Sequence, residues 1–218
     1  MHEKRIVIFG GKGTAINIAE QIEDARLRFG IKIKVIGFAI DDPSLGSEIA
    51  GFPVVCRIHD AWSSFKDTDV EFIFALYRPD VMFERLELLY QLGIPPLRFT
   101  NFIHPSVYLS PSVSLGYGNV ILSQSCLQSR VSLGNYNIIN SNVMIEHESN
   151  ILDGSFVAAC SCIGARVQIG TGAFIGLNST IRENVTIADY SFVGMAAGVL
   201  RSVYQGEVVY GLPARKKQ

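Results

Sequence analysis

From Ile103 to Val193 an aliphatic residue stands at every sixth position, with no step missed and no insertion. The series is Ile103, Leu109, Leu115, Ile121, Leu127, Leu133, Ile139, Ile145, Ile151, Val157, Ile163, Ile169, Ile175, Ile181, Ile187 and Val193. Four residues after each comes a small or short side chain, such as Asn119, Ser125, Asn137, Val143, Ser149 or Ala173. A period of six fits neither a helix nor an alternating strand, but it is a β-helix repeat. Three short strands closed by tight corners make one triangular coil of roughly eighteen residues, and coils stack ~4.8 Å apart so that backbone groups pair between them. Leu127, Ile145 and Ile163 then form a ladder inside the prism. A sandwich of short strands is the alternative, and it would not hold one period across sixteen positions.

The first hundred residues alternate strand and helix patterns instead. Lys4–Phe9 reads as a buried strand that ends at Gly10-Gly11-Lys12-Gly13-Thr14, and helical spacing follows from Ala15 to Arg28. Ile31–Ile40 is a second strand ending at Asp41-Asp42-Pro43. A short strand near Val54, a helical piece over His59–Lys66, a strand over Val70–Tyr77 and a helix over Pro79–Gly93 complete the half. This order predicts a small parallel sheet covered by helices. Residues 1–100 thus form a Rossmann-like α/β domain and 101–218 a β-helix domain.

Composition changes little. Hydrophobic content of 48% and charge of 18% describe a soluble globule, and a net charge of −1 gives no polyelectrolyte signal, so no nucleic-acid partner is expected. No apolar run reaches the ~18 residues of a membrane span, which predicts a cytoplasmic protein without membrane insertion. Cys56, Cys126, Cys160 and Cys162 lack metal-ligand spacing and read as buried free thiols.

Candidate chemistry is concentrated at a few places. The turn Gly10–Thr14 presents backbone N–H groups at a helix start, and reads equally as a structural turn or a phosphate cradle. Asp41-Asp42 ends a strand where a ribose or base edge is often held, or is simply a solvated turn. His2 and His59 lack partner motifs, and His104 reads as a corner cap. With only His104 and His147 in the repeat, one chain cannot supply three histidines for a catalytic zinc, so no metal is expected. His147 is flanked by Glu146 and Glu148 in a segment poor in charge. Imidazole beside carboxylate is a general-base arrangement, with a surface ion cluster as the alternative.

Several stretches together resemble the sugar acyltransferases of the sialic-acid O-acetyltransferase and bacillosamine N-acetyltransferase group. They are Ile8–Gly13, Gly37-Phe38 leading to Asp41-Asp42, Gly51–Val54, Ile103–Ser106, Ile145–Glu148 and Tyr210–Ala214. The resemblance implies a left-handed β-helix, a homotrimer, and acetyl-CoA as co-substrate in the groove between subunits. It implies that His147 takes a proton from the acceptor, that Glu148 supports it, and that Asn140 belongs to the same site. Gly164 and Ala165, one coil on, are implied as backbone donors to an oxyanion, and Leu177, Gly194 and Met195 as coenzyme contacts. Phe156 stands where many members carry a second histidine near the thioester. Lys12, Gly13, Thr14, Asp41, Asp42, Leu76 and Tyr77 are implied as contacts to a nucleotide-sugar. The first loop has Thr14 and Ala15 in place of a histidine-glycine, and Leu76-Tyr77-Arg78 lacks a glycine-asparagine. The implied activity is acetyl transfer to the amine of a nucleotide-linked sugar. The alternatives are O-acetylation of a sugar, a non-catalytic trimeric binding protein, and a nicotinamide oxidoreductase, the last disfavoured by the incomplete glycine fingerprint.

Overall fold

The computed structural model describes residues 3–217, and the six-residue repeat becomes a parallel β-helix. Each hexad yields a two-residue strand whose second residue is the aliphatic one, as in Met144–Ile145, Asn150–Ile151 and Phe156–Val157. Strands eighteen positions apart pair in parallel, so Ile145 lies between Leu127 and Ile163. Three stacked sheets result. Face one runs from Phe102–Ile103 to Val208–Tyr210, face two from Tyr108–Leu109 to Gly198–Val199, and face three from Ser114–Leu115 to Thr186–Ile187. Their inward residues make one continuous apolar column. Beyond Val199 the period slips: Val203 bridges Ile187, Val208–Tyr210 joins face one, and Arg215–Lys216 closes it antiparallel. The β-helix therefore extends past the end of the visible repeat.

Small polar residues are tolerated inside because each is bonded twice. Ser125 Oγ donates to the Asn140 carbonyl at 2.7 Å and accepts from the Val143 N–H at 3.2 Å. Ser149 and Ser155 repeat the device with Gly164 and Val167, and with Gly170 and Ala173. Buried polar groups persist only when bonded in this way. At the corner between faces two and three, Arg130, Glu148, Arg166 and Asn184 all adopt left-handed φ, between 56° and 61°. That conformation costs an L-residue about 1–2 kcal/mol. An inter-coil bond offsets it, as where Glu148, Arg166 and Asn184 donate their N–H to Ser129, His147 and Ala165, each at 3.0 Å.

The N-terminal half carries β1 (Lys4–Phe9), α1 (Thr14–Phe29), β2 (Ile33–Ala39), β3 (Glu48–Ile49), β4 (Phe52–Cys56), α2 (Ala61–Phe65), β5 (Glu71–Phe74) and α3 (Met82–Gln91). The sheet order is β3-β4-β2-β1-β5, parallel except for β3 against β4. The expected elements occur. The helix expected over 79–93 begins as a 3-10 turn at Pro79–Val81, and β3 is a two-residue hairpin arm too short to leave a pattern. This half sits on face one, where outward Phe102, Val120 and Ile138 share a core with Ile18 and Ile22 of α1. Gln21 of α1 accepts from the Ser123 N–H and donates to Ser141 Oγ.

His104 caps the first corner as expected: it is buried, with Nδ1 2.8 Å from Ser106 Oγ and Nε2 3.4 Å from Asp24 of α1. His59 is exposed, and His2 lies outside the described residues. The cysteines are free but not buried: Cys160 and Cys162 are exposed, Cys56 and Cys126 half-buried. Cys162 directly precedes inward Ile163, so strand alternation turns it outward. Among the described residues, no helix is long and apolar enough to cross a membrane.

Ile163 is fully buried in the column. Its replacement by alanine is expected to lower the unfolding free energy by about 2–5 kcal/mol, read by urea denaturation. A loss below about 1 kcal/mol would mean that the column is not close-packed.

Candidate active site

Two places on the molecule hold convergent polar groups. The first is the corner between faces two and three. The tight turn after Met144–Ile145 turns His147 and Glu148 outward, and both remain partly exposed at 43% and 33%. His147 Nδ1 lies 3.4 Å from Glu148 Oε2. Among the described residues Nε2 has no partner, so the neutral ring with a proton on Nδ1 presents a basic nitrogen outward. Glu148 is not the partner of His147 alone. Its Oε1 pairs with Arg130 Nη2, and Arg166 Nη1 approaches Oε2 to 3.8 Å. Neither arginine belongs to the sequence-derived site, although both stand eighteen residues from Glu148. One coil on, the Gly164 N–H donates to the Ile181 carbonyl at 2.9 Å and is unavailable to an oxyanion. The Ala165 N–H has no partner among the described residues, which narrows that expectation to Ala165.

The second place is a cleft of about 370 Å³ at the carboxyl ends of β1, β2 and β5, within the size range of small-ligand pockets. Its walls include Gly11, Lys12, Asp41, Asp42, Leu76 and Tyr77. A Cβ at Gly11 would come within 2.7 Å of Ile49 Cδ1, so a larger residue there would displace that side chain. Gly13, at φ +47°, turns the chain into α1. The N–H groups of Gly11, Lys12 and Gly13 have no partner among the described residues, which leaves donors and a helix dipole at the cleft rim. Thr14 opens the helix. Lys12 Nζ is 2.9 Å from Asp42 Oδ2, and Asp42 Oδ1 accepts from the Ser44 N–H at 3.0 Å. Asp41 Oδ1 accepts from the Ile58 N–H at 3.0 Å, so part of its acceptor capacity is structural. Arg78 and Arg85 also line the cleft. Both escape the sequence reading, since no local pattern marks them.

Tyr77 also reaches beneath the cleft, and the other expected residues fall elsewhere. Tyr77 donates its hydroxyl to the Tyr136 carbonyl, its ring lies 5.6 Å from Phe156, and burial pushes its phenol well above the ordinary range. Phe156 is in turn stacked on Phe174 at 5.2 Å. It is thus packed on face one beneath Tyr77, away from the corner that carries His147 of the same chain. Asn140 opens the corner between faces one and two, with Nδ2 donating to the Val157 carbonyl at 3.1 Å. Leu177 and Met195 stand exposed on later coils of that same corner. Gly194 is buried with its N–H donated to Val209 and the Tyr210 ring against its α-carbon, which leaves Met195 as the exposed contact at that turn. Among the described residues, no group of three or more His, Cys, Asp or Glu is placed to hold a metal.

Lys12 and the two Ser44 donors hold the Asp42 carboxyl down at about 2. The pairing therefore persists through mildly acidic pH and is lost only as pH falls through that value. A carboxyl NMR titration of the Lys12→Met variant is expected to show Asp42 titrating higher, partway to its ordinary range. An unchanged midpoint would contradict the Lys12 pairing.

No family model matches the chain, and no curated protein matches it. Solved structures do. A histidine-substituted mutant of perosamine N-acetyltransferase from Caulobacter crescentus, in complex with CoA and GDP-perosamine, aligns with a TM-score of 0.80 and 23% identity over 98% of this chain and 96% of that one. The acetyltransferase domain of PglB from Neisseria gonorrhoeae FA1090, in complex with acetyl coenzyme A, gives 0.84 and 20% over 99% and 100%. WeeI from Acinetobacter baumannii AYE gives 0.81 and 23% over 98% and 100%. The stacked parallel sheets fit a left-handed β-helix acetyltransferase fold, and across nearly its whole length the chain shares the fold of these structures.

Proposed function

We propose that the protein transfers an acetyl group from acetyl-CoA to the amine of a nucleotide-linked amino sugar. The observation that carries this reading is the corner pair of His147 and Glu148, with Nε2 free and the Ala165 N–H unpaired one coil on. When bound, acetyl-CoA supplies a thioester carbonyl as acyl donor. His147 Nε2 takes the amine proton as the nitrogen bonds to the acyl carbon, and returns it to the departing thiolate. Glu148 stabilises the imidazolium in between, and Ala165 offers its N–H to the negative charge that develops on the carbonyl oxygen.

The cleft is the proposed seat of the nucleotide. Lys12, Arg78 and Arg85, with the N–H groups before α1, suit a diphosphate. The apolar floor made by Leu76 and Tyr77 suits the rest of the ligand. Exposed Leu177 and Met195, with Asn140 on an earlier coil of that corner, suit the apolar arm of the coenzyme.

We propose that the protein acts as a homotrimer, and the same geometry supports this reading. In a triangular prism the corner carrying His147 is the vertex opposite face one, and the cleft lies over face one. One copy therefore cannot bring its own cleft to its own histidine. Face two, with outward Tyr108, Cys126 and Met144, is less polar than face three, with Ser114, Ser132, Asn150, Gln168 and Thr186. Face two is the side we assign to neighbouring copies, which brings the histidine corner of one copy beside the Asn140 corner of the next.

The test is thiol release from acetyl-CoA with UDP-, GDP- and dTDP-linked amino sugars and with free sialic acid. Release with one amino sugar is expected, falling about 10²–10⁴-fold in His147→Ala while coenzyme binding is kept. Unchanged turnover in that variant would remove the mechanism. Release with sialic acid alone would move the acceptor to a hydroxyl.

A further inference from the structure

Resting on the reading of His147 as the base, we infer that Arg130 and Arg166 are positioning residues that hold the Glu148 carboxylate against His147 Nδ1. Positions 130, 148, 166 and 184 stand eighteen apart on one corner, all in the left-handed conformation, so their side chains leave the prism in one vertical row at the coil spacing of ~4.8 Å. Glu148 occupies the gap between the two guanidiniums: Arg130 Nη2 takes Oε1, and Arg166 Nη1 stands 3.8 Å from Oε2, the oxygen that faces His147. Arg166 is itself held, with Nε donating to Asn184 Oδ1 at 2.7 Å. Arg130 is fixed at its backbone, where its N–H donates to Ser112 Oγ at 2.9 Å.

Ion pairs this exposed add little stability, so the row is not accounted for as a fold-stabilising device. Its distinctive effect is orientational. A carboxylate with one oxygen pinned from the preceding coil cannot rotate the other away from Nδ1, and the following coil closes the opposite side. With Nδ1 kept as the protonated nitrogen, Nε2 is the one left bearing the lone pair. The row also carries two positive charges against one negative. Arginines that served instead to bind an anionic ligand directly would act on substrate affinity, and this distinguishes the two roles.

The experiment compares Arg130→Met, Arg130→Lys, Glu148→Gln and the double variant Arg130→Met/Glu148→Gln with wild type. Arg130→Met is expected to lower kcat at least about tenfold, part of the 10²–10⁴ a general base contributes, with both KM values changed less than about twofold. Arg130→Lys should recover much of that loss. In the Glu148→Gln background Arg130→Met should cost almost nothing more, because the group through which it acts is gone. A raised KM with kcat kept, or an equal loss in both backgrounds, would overturn the inference. Arg166→Met serves as the second variant if Arg130→Met unfolds. Ring ¹⁵N spectra of histidine-labelled protein give a readout independent of turnover: the neutral His147 ring is expected to carry its proton on Nδ1 in wild type and to populate both tautomers in Arg130→Met. The same tautomer in both proteins would overturn the inference. A wild type inactive on every acceptor would instead overturn the acetyl-transfer reading, while the ring spectra would still decide the role of Arg130.

Discussion

Backbone hydrogen bonding from one coil to the next is the interaction on which the rest of the structure depends. Each two-residue strand is far too short to exist alone, and the strands persist because each is paired with a strand eighteen residues away, on both sides in the interior coils. That pairing fixes a three-way sorting of the chain. Aliphatic residues stack inward, the residue before each one points outward, and the corner residues form vertical rows. The serine hydroxyls inside the corners and the left-handed residues at their tips are both stabilised by bonds to an adjacent coil, so neither could occur in an isolated turn.

The same constraint separates the chemistry. Face one is apolar on its outer side and covered by α1 and its sheet, which places the cleft at Lys12, Asp42 and Tyr77 over that face. His147 lies on the opposite vertex. Leu177, Met195 and Asn140 share a third location, the corner between faces one and two. The proposed reaction, which uses all three, would join copies across face two, and a head-to-tail contact of that kind can close as a ring.

The hexad repeat was legible because inward residues recur without a gap, and an eighteen-residue coil follows from it by arithmetic. The end of the β-helix was not legible, since the slip at Val203 breaks the period while preserving the pairing. His147 and Glu148 stood out as charges in an uncharged stretch. Arg130 and Arg166 did not, although the coil arithmetic reaches them: an exposed arginine is common, and only its neighbours across coils give it meaning. Phe156 was legible only as a position along the chain. Counting from His147 gives its separation along the chain but not its face, and strand alternation sets it outward beneath Tyr77. Gly164 and Gly194 look open in sequence, yet the ladder takes both N–H groups. Arg78 and Arg85 meet at the cleft only through the fold of the sheet and α3.

The central claim is that the reacting site is assembled from two copies of the chain. The most direct measurement is subunit complementation between two variants that are each inactive: His147→Ala, which lacks the base, and Lys12→Glu, which reverses charge in the cleft. Co-expressed and purified as mixed assemblies, they contain interfaces where an intact cleft from one chain meets an intact histidine from the other. Restored thiol release, absent from either variant alone, is the predicted result. Mixed assemblies that stay as inactive as the separate variants, with wild type active in the same assay, would contradict a shared site.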